Sequence, residues 1–330
     1  MAMHSGKAIT VLAAALACSL GAGAQGPGTS ATYYASAEGK TGAELKTALS
    51  GIIYSHTERS YADLWTDFRQ TDMRPDGKVW DMYSGVTNFT IGTDQAGNFH
   101  QEGDVYNREH SFPKSWFGGN IMPMYTDLNH LYPTDGYVNN RRSNYPFGEN
   151  NGEIYQSAGG FSKLGLCTVQ GYDGKVFEPA DEYKGDFART YFYMVTCYEE
   201  KLPDWYAYTD AQPTLDGSTY PGLASWQLEM LMRWATADPV SEKETNRNEA
   251  VWAIQKNRNP FIDYPGLEQY IWGSRVGQPF HYITSSTTIA SAKQPKVKTS
   301  TFDLNGRKVK TRKSRRGTVL VKRGKKLLTR

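Results

Sequence analysis

Cysteine is nearly absent from this chain: Cys18, Cys167 and Cys197 are the only three in 330 residues. So few thiols exclude a disulfide-framework fold, and none has the short spacing of a zinc site. No apolar run of about 18 residues lies beyond the N-terminus, which excludes a polytopic membrane protein. Net charge is scarce as well, with 37 Lys and Arg against 34 Asp and Glu, a formal +3. What is present is apolar and aromatic. Hydrophobic residues make up 39% and aromatic ones 13%, with 22 tyrosines, which rules out a disordered or collagen-like chain.

The small net charge conceals a division. From Ser291 to Arg330 there are 15 Lys and Arg and one acid, Asp303, a net of +14. The other 290 residues hold 22 bases and 33 acids, a net of −11. An acidic body and a basic tail need separate explanations. The N-terminus reads as a secretory signal over residues 1–24: Lys7, then an Ala-rich apolar stretch, then Ala22-Gly23-Ala24 before a cleavage point at Gln25. Lipidation at Cys18 is the alternative there. Cys167 and Cys197 would remain; pairing would close a loop of about 30 residues, worth at most about 3 kcal/mol, and two free thiols are the favoured reading. The tail, 301–330, reads as two β-hairpins, the first turning at Asn305-Gly306 and the second at Arg323-Gly324. A Ser-, Thr- and Lys-rich linker, 286–300, separates it from a body at 25–285 that shows no internal repeat.

Within the body, apolar periodicity predicts helices over 42–53, 61–68, 184–200, 225–236 and 241–257. Ser241 and Glu244 form a capping box for the last, and Pro260 is expected to end it. Trp226, Met230, Leu231 and Trp234 recur at helical spacing and are expected in the core. Strands are expected over 88–91, 109–113, 128–132 and 166–169. The result is a helix-rich α+β chain with a small sheet.

The chemistry concentrates between Tyr106 and Glu149. Asn107-Arg108-Glu109-His110 is followed by Asp127-Leu128-Asn129-His130-Leu131 and then Gly136-Tyr137-Val138-Asn139-Asn140-Arg141-Arg142. Two strand-like pieces and a helix, capped by Thr134 or Asp135 and stopped by Pro146, would bring Glu109 and His110 opposite Asn139. Glu and Asn offer hard oxygen ligands suited to Mg²⁺, and a neutral His can take a proton from an attacking water. Arg142 lies three residues after Asn139, so the two share a helical face, and a phosphate contact is assigned to Arg142 before Arg141. Adjacent strand residues point to opposite faces, so either the strand ends or bulges at His110 or each side chain reaches the site from a different side, and irregular backbone at His110 is expected.

These segments resemble the endonuclease I family of bacterial secreted and periplasmic nucleases, a ββα-metal or His-Me finger group. The likeness extends to Lys78-Val79-Trp80-Asp81-Met82-Tyr83-Ser84, to the stretch from Phe177 to Asp186, to Arg247-Asn248-Glu249-Ala250 and to Gln255-Lys256-Asn257-Arg258-Asn259-Pro260, and spans Tyr33 to Trp272. It implies a His-Me finger core set among helices and a non-specific endonuclease cutting DNA, and often RNA, to 5′-phosphate products. It implies one Mg²⁺ ion, with Mn²⁺ or Ca²⁺ as substitutes, held by Glu109 and Asn139. His110 would be the general base, and Asp127 and His130 supporting residues. A local basic strip of Arg108, Lys114, Arg141 and Arg142 would meet the substrate. The disulfide-rich insertions of some members are missing here, which leaves their phosphate-contacting Arg unmatched. The tail, through Asp303-Leu304-Asn305-Gly306-Arg307-Lys308-Val309, resembles the sorting tails of type IX export, which implies export machinery as a partner; a basic arm on nucleic acid is the rival. A monomer is expected. The competing function is an exported nucleic-acid-binding protein that has lost catalysis.

Overall fold

The computed structural model describes residues 32–282 together with 301–303, 308–309, 319–322 and 325–328. The expected signal peptide, Cys18 and the linker lie outside these residues.

Nine α-helices and nine strands are described. In chain order they are α1 (Gly42–Ile53), α2 (Leu64–Thr71), β1 (Tyr106–His110), β2 (Leu131–Asp135), α3 (Gly136–Arg142), β3 (Tyr155–Gln156), β4 (Lys163–Leu166) and β5 (Lys175–Glu178). There follow α4 (Lys184–Cys197), α5 (Leu202–Trp205), α6 (Ser225–Ala237), α7 (Glu242–Gln255), α8 (Pro260–Asp263) and α9 (Leu267–Ile271), then β6 (Thr301–Asp303), β7 (Lys308–Val309), β8 (Val319–Lys322) and β9 (Lys325–Leu328).

Helix α4 organises the body. Every residue from Gly185 to Cys197 is buried, as expected of a helix with core on all sides. Against it pack α1, through Leu45, Leu49 and Ile53, and α6, through Trp226, Met230, Leu231 and Trp234, all buried as their spacing required. The antiparallel pair β1–β2 divides two cores. Glu109 and its partner Tyr132 face the larger core, where the Tyr132 hydroxyl meets Thr190 of α4 at 2.7 Å. Tyr106 and Leu131 face a smaller one with Leu64 and Phe68 of α2 and Val251 of α7. Helix α3 follows β2 directly, so the chain contains a strand–strand–helix unit inside a helical body.

Several expected boundaries move. The sheet pieces shift to 106–110, 131–135 and 163–166, and 88–91 forms only a bridge between Thr90 and Lys78. Strand β2 runs through Pro133, which costs no ladder bond because each strand of a two-stranded sheet has an unpaired edge. Helix α2 starts at Leu64 because Ser60 and Asp63 exchange backbone-to-side-chain hydrogen bonds at 3.2 and 3.1 Å, which holds Tyr61 outside the helix. Helix α7 has the Ser241–Glu244 capping box, but it ends at Lys256, in left-handed conformation at φ 65°, while Pro260 opens α8. Cys167 and Cys197 are free thiols, the latter buried.

The tail strands form a unit of their own, ordered β7-β6-β8-β9. The two expected hairpins, β6–β7 and β8–β9, are joined by pairing of β6 with β8; their turn residues lie outside those described.

Candidate active site

Strand β1 ends at His110, but the irregular backbone expected there is not found: pairing of β1 with β2 continues in register through that residue and the ladder carries no bulge. Ser111 still donates its N–H to the His130 carbonyl at 3.0 Å. Glu109 and His110 therefore leave the strand on opposite faces, and their hydrogen bonds follow suit.

Glu109 points to α3. Its Oε1 accepts from Arg142 Nη1 at 2.8 Å and from the Tyr83 hydroxyl at 2.8 Å, and the Asn139 side chain interacts with the same carboxyl. Burial pushes the Glu109 pKa up to about 7, against the opposing pull of Arg142, Tyr83 and Asn139. Asn139 also donates from Nδ2 to Asn107 Oδ1 at 2.7 Å. Asn107 stands two residues before Glu109 on the same strand face. That period of two was available in the sequence and would have singled it out. The role of Tyr83 had no signal of its own; it reaches Glu109 because Asp81 holds its loop, accepting from Tyr83 N at 2.8 Å and from Asp135 N at 3.0 Å. Asp135 rather than Thr134 caps α3, accepting from Val138 N at 2.8 Å.

His110 points the other way. Its Nε2 lies 3.0 Å from the Tyr125 carbonyl, so it carries the proton and Nδ1 is left as the acceptor. The imidazole stacks on Tyr125 (5.2 Å between centroids, 11° between planes) and on Tyr61 (6.1 Å, 18°). Burial, then the neighbouring His130, hold the His110 pKa well below the ordinary histidine value, so the ring is neutral. His130 binds the preceding carbonyl, Met124 O, at 2.7 Å, and is likewise kept neutral by burial. The 3₁₀ turn Met124–Thr126 thus holds both imidazoles. Asp127 ends that turn. It is fully buried and accepts from Tyr193, Tyr198, Gln255 and Asn129 at 2.7 to 2.9 Å. Burial raises its pKa, but His56, His130 and these donors outweigh that and leave it lowered.

The basic strip is not one surface. Arg142 is 1% exposed, with Nη1 also on the His110 carbonyl at 3.1 Å and Nη2 on Ser111 O at 2.6 Å. The expected phosphate contact from Arg142 is therefore corrected: its guanidinium is spent inside the protein. Arg141 is the exposed one, resting on the Tyr137 ring at 4.8 Å. Arg108 is half-buried between Tyr61 (3.5 Å) and Trp65 (4.3 Å) and donates to Tyr61 O at 2.5 Å. Lys114 is exposed, 5.3 Å from the Tyr125 ring.

Among the described residues no group of three or more His, Cys, Asp or Glu side chains can hold a metal ion. Glu109 and Asn139 together offer one carboxylate and one carboxamide oxygen. That set fits a hard ion that keeps most of its waters, as Mg²⁺ does.

The family described as Endonuclease I matches residues 41–266. An extracellular ribonuclease of Bacillus amyloliquefaciens is 39% identical over 250 residues, 73% of this chain and 78% of that protein. The extracellular ribonuclease of Bacillus subtilis is 39% identical over 248 residues, with the same shares. An extracellular deoxyribonuclease of Aeromonas hydrophila is 30% identical over 139 residues, 42% of this chain and 49% of that protein.

Proposed function

We propose, for a chain that belongs to the endonuclease I family and is a nuclease, that it is an exported, Mg²⁺-dependent endonuclease of low sequence preference, acting on DNA and RNA phosphodiesters. The observation that carries this reading is the tautomer of His110. With Nε2 committed to the Tyr125 carbonyl, Nδ1 is an acceptor in a neutral ring, one residue from a carboxylate paired with a carboxamide.

In this reading His110 Nδ1 takes the proton of the attacking water. The imidazolium so formed lies against the faces of Tyr125 and Tyr61, which favours the cation. Glu109 and Asn139 would hold the Mg²⁺, which supplies charge stabilisation to the phosphate and the leaving oxygen when bound. Arg142 and Tyr83 fix the Glu109 carboxylate from behind. Beyond Tyr106, which bridges Gln95, β1 has no second partner strand among the described residues. The substrate backbone is therefore taken to cross that open edge and meet each face from its own side, with Lys114 and Arg141 as its exposed cations. The extracellular names of the ribonuclease and deoxyribonuclease relatives support export and both nucleic acids.

Nicking of supercoiled plasmid tests the proposal. The protein should cut with Mg²⁺ and stop in EDTA, and His110→Ala should lose at least about 10² in rate. Plasmid degradation by that variant at the wild-type rate, or full activity in EDTA, rejects the mechanism.

A further inference from the structure

We propose that the groove bounded by the end of α1, by α5 and by residues 117–124 binds an unpaired nucleobase of a single-stranded nucleic acid; the inference rests on the nuclease reading above and adds a substrate class to it. The groove encloses about 370 Å³, at the lower end of small-ligand sites. Buried Phe117 and Trp205 line it together with Tyr54, Ile121, Met122 and Tyr208, which are 44%, 48%, 39% and 44% exposed. Large apolar side chains scattered singly over a surface need no explanation, but four converging on one groove do.

Charge and chemistry select the occupant. Lys201 and Asp204 are the groove's charged residues, one of each sign, so it has no net field for phosphate and suits a neutral group. Two tyrosine rings and the Met122 thioether present flat, polarisable surfaces for a heteroaromatic ring. The Lys201 ammonium makes no ion pair among the described residues, and with the Asp204 carboxylate it offers a donor and an acceptor to a base edge.

Position ties the groove to the cutting site. The Phe117 ring lies 6.4 Å from that of His110, and the Met124 carbonyl, on the groove-lining segment, holds His130. Lys114 opens the same 3₁₀ turn that ends at Phe117. A backbone phosphate near Lys114 would leave its nucleoside beside the groove. A base paired and stacked in a duplex cannot enter.

The test compares a labelled single-stranded oligonucleotide with its duplex, using the full chain and a Tyr54→Ala/Tyr208→Ala double variant. The ratio of kcat/KM for single strand over duplex should fall about tenfold in the double variant, and Tyr54→Phe/Tyr208→Phe should restore it. An abasic site next to the cut should lower the wild-type single-strand rate but cost the double Ala variant nothing further. An unchanged ratio, equal loss on both substrates, or a concentration-dependent dimer that the substitutions abolish overturns the proposal. Should the wild type cut neither oligonucleotide, the nuclease reading has failed instead. The groove is then judged by fluorescence anisotropy in EDTA: weaker single-strand binding by the double Ala variant supports it, and equal binding overturns it.

Discussion

Arg141 and Arg142 are adjacent, identical and differently employed. Helical spacing places Arg142 on the face of Asn139, but spacing does not tell whether that face meets water or protein. It meets β1, and the guanidinium closes over Glu109 Oε1 and the carbonyls of His110 and Ser111. Arg142 is therefore a positioning residue, and its removal strands a buried carboxylate. Arg142→Ala should lower unfolding stability by about 3–5 kcal/mol, measured by denaturant titration without nucleic acid. A variant of wild-type stability with only a raised KM would restore the surface phosphate contact that helical spacing suggests. The same blindness to partners hides Tyr83, since a buried tyrosine with a carboxylate partner looks in sequence like any other core tyrosine.

Among the elements, those whose limits are set by their own residues were legible. Helix α1 has the bounds that its apolar spacing gives, and α7 starts where its capping box says. The strands of the site were found but displaced, because β1 and β2 owe their limits to each other. Residues 128–132 are expected as a strand from their sequence, yet Asn129 N turns onto Asp127 Oδ1 at 2.9 Å. That turn belongs to a polar hub built from α4 and α7, which no local pattern reveals. The hub has a pH signature. The folded-state pKa of Asp127 is lowered, so its contribution to stability is complete above the unfolded value of about 3.9 and is lost as pH falls through the folded one. Unfolding free energy should therefore decline below about pH 4, and Asp127→Asn should flatten that decline while lowering stability at neutral pH. An identical acid slope in the variant would show that Asp127 is not an ionised acceptor. Because Asp127 ends the turn that carries the Tyr125 carbonyl, the same variant should also cut more slowly at unchanged KM.

At the scale of the whole molecule the near-neutral charge is the sum of a body at −11 and a tail at +14. An acidic body has no general positive field to draw in a polyanion, so in the function proposed above capture would rest on local cations such as Lys114 and Arg141. The tail invites the opposite thought, that its charge supplies the missing attraction. An arm that binds phosphate by counterion release needs charge and reach but no fold. The tail instead pairs its strands as β7-β6-β8-β9 within a unit separate from the body. A sheet of defined order suits recognition of shape, as the likeness to an export sorting tail implies. We therefore expect truncation before Ser291 to leave the slope of log K against log salt unchanged for DNA binding, and to block export from the producing cell. Were the tail to neutralise phosphates, its removal would flatten that slope by about one unit for each of them. A decrease of several units, with export intact, would assign the tail to the substrate and make the molecule a nuclease that carries its own electrostatic anchor.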